Sequence, residues 1–467
     1  MQSLPSSSSN SENTAINTSL NKGKSLWIAA VTWLLRLVTG ALFTFSGFVK
    51  GIDAWGTIYK LDEYLVALGV PMSHSLVVVC VYALCILEFM IGIYMLFGCY
   101  RRSNCILALL FMIVMLPLTL WIAIADPVAD CGCFGDAFII SNWSTFWKNV
   151  ILTACIVWLL KYNKSIPCII TPAFQWIAFI ATALFLFCIC WYGYNIQPMI
   201  DFRPYKTGTM LIDESQEENE PQYVFVYSKE GTNREFTEDN IPDDNEGWTF
   251  VSRREIHNSG SKAVNGHSFS VMDKAGDEDA TEDAIDAEGR EFILLIPSLK
   301  EISASTTYKI NMLFDWAQAH DIGLIAIVAA NTGSIPEWED LSMPRYDIYT
   351  ADDTSIKELA RGNPSVVFLD KGVIKWKSTL TALNEDSFAT PDTDSDVNEM
   401  ATDGKKDLHN LTLIYLIVMA FLTCISMIPK LSNIFRPMGY KGPQNIKEYK
   451  EIKAARANRD DKARREE

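Results

Sequence analysis

The chain has 467 residues, is 49% hydrophobic and carries a formal net charge of −16. Residues 201–410 hold 42 acidic and 19 basic side chains, so the remainder, with 14 acidic and 21 basic, is net positive. Acidity of that size in the polar part argues against nucleic acid as a partner. The eleven cysteines all lie outside it, ten before residue 191 and Cys424 after it. Neither a disulfide framework nor thiol chemistry is therefore available within the polar region.

Residues 1–25 are Ser/Asn-rich without apolar periodicity and read as a disordered tail rather than a conventional signal peptide. Five apolar runs follow, at 26–49, 75–98, 104–125, 145–160 and 174–194, and a sixth lies at 411–428. A bilayer core needs about 20 apolar residues per helix, so each run is expected to span a membrane. Short basic segments lie before span one (Lys22, Lys24), between spans two and three (Arg101, Arg102), between spans four and five (Lys161, Lys164) and in the tail 429–467. With six spans these four segments share one side, which the positive-inside rule makes cytoplasmic. The expectation is a multi-pass protein of a bacterial cytoplasmic membrane, with its acidic region on the extracytoplasmic side.

The loop between spans three and four falls on that same outer side and reads Asp130-Cys131-Gly132-Cys133-Phe134-Gly135-Asp136. Glycine beside cysteine permits a tight thiol loop, and a disulfide closed over one residue would be strained and oxidising. Cys131 and Cys133 are therefore the candidate redox pair; a static disulfide or inert thiols are the plainer alternative. No His or third Cys stands at ligand spacing, so no metal is expected, and His257, His267, His320 and His409 show no site-like spacing. Cys188 and Cys190, near the outer end of span five, are candidate resolving thiols, with the alternative that they merely fill a helix face. Arg36 and Glu88 are charges inside spans one and two, each about ten residues from the cytoplasmic end. At about 1.5 Å per residue they reach similar depth and are expected to pair.

The polar region opens with a linker-like stretch from 201 to 221. Strands are expected at 223–227, 292–296 and 322–329, helices at 308–320 and 355–360, and a hairpin at 366–376 turning on Asp370-Lys371-Gly372. This order resembles a thioredoxin-like fold, in which the proline before the hairpin, here Pro364, is cis and faces the active site. The redox position of such a fold falls on 297–303, which contains no cysteine, so the domain at 201–384 is expected to be redox-silent. Residues 385–410 read as a flexible acidic linker.

The membrane part resembles the DoxX/MauE group of bacterial redox-associated membrane proteins. The likeness rests on Arg36-Leu37-Val38-Thr39-Gly40 and Phe45-Ser46-Gly47-Phe48-Val49-Lys50 in span one, Leu87-Glu88-Phe89-Met90-Ile91-Gly92 in span two, and Cys131-Gly132-Cys133-Phe134-Gly135. It covers about the first 165 residues and implies a four-span core at 26–165 working in redox-linked maturation. MauE is associated with maturation of a disulfide-rich methylamine dehydrogenase subunit; the extra spans and the acidic domain depart from that pattern. The fold class expected is a membrane α-helical bundle of six spans plus a soluble α/β domain. The function expected is thiol–disulfide relay through Cys131 and Cys133 to an extracytoplasmic partner bearing thiols or disulfides. A quinone is a candidate electron acceptor that no sequence feature marks. The competing reading is a non-enzymatic scaffold whose cysteine-free domain binds partners.

Overall fold

The computed structural model describes residues 8–125, 131–138, 140–211, 223–229, 232–237, 249–255, 269–330 and 335–434. Among these, six helical stretches are long and apolar enough to cross a membrane: Leu26–Ile52, His74–Phe97, Arg101–Ala125, Asn142–Lys161, Pro172–Asn195 and Val397–Ile428. The helices are α1 (Ser8–Ile52), α2 (Ala54–Ala67), α3 (His74–Phe97), α4 (Arg101–Ala125), α5 (Asn142–Lys161) and α6 (Gln175–Asn195). The expected tail is thus helical from Ser8, since no proline interrupts the chain between it and the apolar run. The basic tail lies largely outside the described residues.

Helices α1 and α3 pack most intimately, and glycine is the reason. A Cβ on Gly47 would sit 2.5 Å from the Phe89 nitrogen, and one on Gly92 would sit 2.3 Å from the Thr44 nitrogen. Small residues at these positions let the two backbones touch, the usual device where lipid supplies no hydrophobic drive between helices. Helix α2 was not anticipated. It is a 14-residue helix between the first two spans, started by the Asp53 carboxylate, which accepts from the Gly56 N–H at 2.9 Å.

The α/β domain carries β1 (Tyr223–Lys229), β2 (Thr232–Thr237) and β3 (Thr249–Glu255), an antiparallel sheet in the order β2-β1-β3. It continues with α7 (Thr281–Ala284), β4 (Arg290–Ile296), α8 (Ala304–Ala319), β5 (Gly323–Ala329), α9 (Ile335–Ser342), β6 (Asp347–Ala351), α10 (Asp353–Leu359), β7 (Ser365–Asp370) and β8 (Val373–Thr379). The second sheet has the order β6-β5-β4-β7-β8, with β4, β5 and β6 parallel and β7 and β8 antiparallel. Alternate residues of β4 serve two cores: Phe292, Leu294 and Ile296 join one, Ile293 and Leu295 the other. The sheet is therefore buried on both faces, which accounts for its nearly continuous apolar strands. The turn joining β7 to β8 places Lys371 and Gly372 at φ +54 and +69, as a two-residue hairpin requires.

Residues 385–403, expected to be flexible linker, are packed instead. Phe388, Val397 and Met400 are buried in the first core, and the indole N–H groups of Trp316 and Trp376 donate to the carbonyls of Thr393 and Val397 at 2.8 and 3.0 Å. Three scattered apolar side chains among many Asp and Thr suffice to tie down a segment whose average composition reads as disordered. The strap leads into α11 (Gly404–Ile434), which lies on α6 through a Thr182–Tyr415 hydroxyl contact of 3.0 Å.

Glu291 sits inside this domain, its carboxylate accepting only the Asp286 N–H at 3.2 Å. Burial pushes its carboxyl up to about 7 from the ordinary 4.5. The folded state therefore holds a proton that the unfolded chain has lost, and stability falls as pH rises from about 4.5 to about 7. The loss is at most about 3 kcal/mol. Thermal unfolding of the full-length protein across that range should slope downward for wild type relative to Glu291→Gln; parallel curves would refute the assignment.

Candidate functional site

The cysteine loop sits at the end of the bundle shared by α2 and the α/β domain. Gly132 and Gly135 take φ +60 and +52, and the Gly135 N–H donates to the Gly132 carbonyl at 3.1 Å, closing a tight turn around Cys133 and Phe134. Two hydroxyls hold its backbone: Ser46 of α1 donates to the Cys133 carbonyl and Tyr64 of α2 to the Cys131 carbonyl, both at 2.6 Å. The Phe134 ring is buried, lies 5.7 Å from that of Phe45 and has the Lys148 ammonium 4.3 Å above it.

The two thiols are free and 3.2 Å apart, sulfur to sulfur. They face different surroundings. Cys133 lines a small cavity in the bundle with Ser46, Lys50, Glu88, Phe134 and Lys148. At about 30 Å³ it holds about two waters. Cys131 is absent from that lining and lies toward Tyr64. The Cys133 thiol is drawn down to about 6, first by the hydrogen bond from Cys131, and then, against desolvation, by the charges of Lys148 and Lys50. The same hydrogen bond and burial push the Cys131 thiol up. Both shifts favour a shared proton on the Cys131 side and negative charge on Cys133.

Beneath the thiolate lies an ion pair, Lys50 Nζ to Glu88 Oε2 at 2.8 Å, both side chains nearly fully buried. The expected Arg36–Glu88 pair does not form. Counting ten residues from each span end ignored that α1 continues past the membrane, whereas the glycine contacts set Lys50, not Arg36, opposite Glu88. Arg36 instead caps the far end of α3, donating to the carbonyls of Met95 at 2.7 Å, Leu96, and Pro167 at 3.3 Å. A cation at a helix C-terminus meets the negative end of its dipole, so the arginine is satisfied without a carboxylate. Cys190 is buried, its thiol hydrogen-bonded to the free thiol of Cys85, and Cys188 is half-buried on α6. Neither touches Cys131 or Cys133, so the structure does not bring the resolving-thiol candidates to the loop.

Sequence reasoning missed the residue that joins the α/β domain to this loop. Arg361 lies two residues before the Asn363–Pro364 peptide, which is cis. Its guanidinium donates to Asp53 at 2.7 and 3.1 Å and also to Asp136 of the cysteine loop. It stacks on Tyr59 with the guanidinium carbon 5.5 Å from the ring centre. Gln197, just past α6, exchanges backbone hydrogen bonds with Arg361 from its side-chain amide. Against the desolvation that burial imposes, Arg361 and Arg203 hold the Asp53 carboxyl below its usual range. Among the described residues no cluster of three His, Cys, Asp or Glu could hold a metal.

Two outcomes follow from this geometry. Alkylation of Cys133 by iodoacetamide should be half-maximal near pH 6, where an ordinary thiol gives about 8.5. Lys148→Gln should slow labelling at pH 6 by about tenfold, by raising the thiol toward that ordinary value; an unchanged pH profile would remove Lys148 from the site. Arg361→Ala should cost about 3–5 kcal/mol, because it strands the buried Asp53 carboxylate. Adding Asp53→Asn and Asp136→Asn should recover part of that loss in thermal unfolding.

Residues 28–162 match the family described as methylamine utilisation protein MauE, and residues 221–257 match a domain of unknown function, DUF8463. Neither curated proteins nor solved structures give a match to the chain. The first match contains every residue of the cysteine loop, the Lys50–Glu88 pair and Lys148, whereas the second falls on the three-stranded sheet. The chain is thus a MauE-like membrane protein whose fifth and sixth candidate spans flank a soluble α/β domain.

Proposed function

We propose that this protein is a membrane thiol–disulfide relay, with Cys131 as the sulfur that meets a protein partner and Cys133 as the one that holds the charge. What supports this is the 3.2 Å pair, in which the hydrogen bond from Cys131 and, after it, the charges of Lys148 and Lys50 favour the thiolate on Cys133. In the oxidised loop, a partner thiolate attacks Cys131 and Cys133 departs. A low-pKa sulfur is the better leaving group, so the charge arrangement selects which bond breaks. A second partner thiolate then displaces Cys131. The partner's two thiols become a disulfide and release two protons; the loop disulfide becomes one thiol and one thiolate, keeping one of those protons.

The four basic segments support placing the loop and the α/β domain on the extracytoplasmic side of a bacterial cytoplasmic membrane, where disulfides persist. The strand order β5-β4-β7-β8, with the cis Asn363–Pro364 peptide entering β7, supports a thioredoxin-like reading of the domain. At its redox position, Ser298 and Asn363 exchange hydrogen bonds of 2.8 and 3.3 Å where a cysteine pair would act. We read the domain as a redox-silent platform, clamped by Arg361, that presents partners to the loop. The description of the matched family supports a role linked to methylamine utilisation or to redox-related maturation. Only the class of task, not a particular substrate, is carried over.

Differential alkylation in intact cells, before and after a mild reductant, tests the reading. The labelled fraction of Cys131 and Cys133 should shift, and Cys133→Ser should trap mixed disulfides through Cys131. A pair locked in one state, with partner disulfides untouched by Cys131→Ser, would leave the scaffold reading in its place.

A further inference from the structure

A relay that oxidises partners must pass two electrons onward, and the side on which Cys133 faces indicates where. Cys133, unlike Cys131, lines a small cavity inside the bundle. The cavity it lines shares the walls Leu42, Lys148 and Leu152 with a larger cleft of about 540 Å³ between α1 and α5. That cleft is bordered by Val38, Trp143, Trp147 and Ile151, all strongly exposed and all on membrane-spanning helices, so it opens to lipid. Its volume falls within the range of sites that enclose small organic ligands, and its walls are apolar and aromatic apart from one ammonium and a few small polar groups.

We propose that this cleft binds a lipid-soluble quinone, whose ring lies among Trp143, Trp147 and Leu42 with a carbonyl directed at the Lys148 ammonium. The inference rests on the thiol-relay reading and deepens it by naming the class of acceptor and the place where it binds. Three features of the site fit a quinone. The occupant must enter from the bilayer, which suits a hydrophobic molecule. It must accept two electrons at once, because the sulfur pair gives up two in forming one bond. It must also gain from a single cation beside a flat apolar wall, as a conjugated carbonyl does.

The step balances as follows. The Cys131 S–H bond breaks and the Cys131–Cys133 S–S bond forms, releasing two electrons and one proton. The quinone takes both electrons, that proton and a second from water through Lys148, and leaves as quinol with two new O–H bonds. Lys148 belongs to both cavities, so one ammonium serves the thiolate on one side and the quinone carbonyl on the other.

The test uses full-length protein in liposomes with decylubiquinone as the probe, without oxygen. Reduced protein should form one quinol per chain as two alkylatable thiols disappear. Ile151→Trp, which fills the cleft, should slow quinol formation at least tenfold while glutathione disulfide still oxidises the pair at the wild-type rate. Trp147→Phe, a milder change, should weaken binding measured by fluorescence quenching in the Cys131→Ser, Cys133→Ser protein, where no redox step can occur. Quinol formation indifferent to both cleft variants, or quenching unaltered by Trp147→Phe, overturns the site and leaves the relay standing. Sulfurs that react with neither quinone nor glutathione disulfide overturn the relay, and quenching in the cysteine-free loop then reports on the cleft alone.

Discussion

Close contact between α1 and α3 is the constraint on which the rest depends. Gly47 and Gly92 let the two backbones meet, and that meeting fixes how far one helix slides along the other. Only in this register does Lys50 reach Glu88, and only then does Ser46, four residues earlier on α1, face the carbonyl of Cys133. A charge buried alone in a bundle is costly, so Lys50 and Glu88 each make the other tolerable. The thiolate on Cys133 adds a negative charge, and Lys148 from α5 offsets it. Helix packing, charge balance and thiol chemistry are therefore one arrangement seen at three levels.

The α/β domain is held to that arrangement by side chains rather than by the length of its connections. Arg361 is buried between Asp53, which starts α2, and Asp136, which belongs to the cysteine loop. Because α2 also supplies Tyr64 to the loop, the clamp and the thiols share a support. Thr379, which closes β8, adds hydrogen bonds to the carbonyls of Asn195 and Ile196 at the end of α6. The strap at 385–403, packed on the first core through Phe388, Val397 and Met400, joins the domain to α11.

Much of this was legible in the sequence, and the reasons for the remainder are physical. The spans declare themselves by length and hydropathy, and the sheet by branched and aromatic runs of strand length. Pro364 could be singled out because the element order resembles a thioredoxin-like fold, in which the proline before the hairpin is cis, as the Asn363–Pro364 peptide is here. The wrong partner for Glu88 came from measuring depth against span ends, when register is set by where glycines allow contact. Helix α2 was overlooked because its 14 residues mix Tyr, Lys, Asp and Glu with apolar positions and lack the long run that marks a span. Arg361 carries no local signal at all: its meaning lies in residues 308 and 225 positions away along the chain. The strap was misjudged because composition averages over a segment, while a core needs only the few side chains that fit it.

In the proposed relay, the asymmetry of the two cysteines is what would give a pair of thiols a direction. One glycine separates them, yet Cys131 is held by Tyr64 of α2, whereas Cys133 is held by Ser46 of α1 and lines the interior of the bundle. The hydrogen bond from Cys131 and two lysines on the inner side draw charge to Cys133, so in that relay the sulfur on the bundle side is the one that bears it. In the proposed relay the difference between the two sulfurs thus comes from the helices around the motif as well as from the motif itself, which is why a Cys-Gly-Cys sequence alone leaves it undetermined.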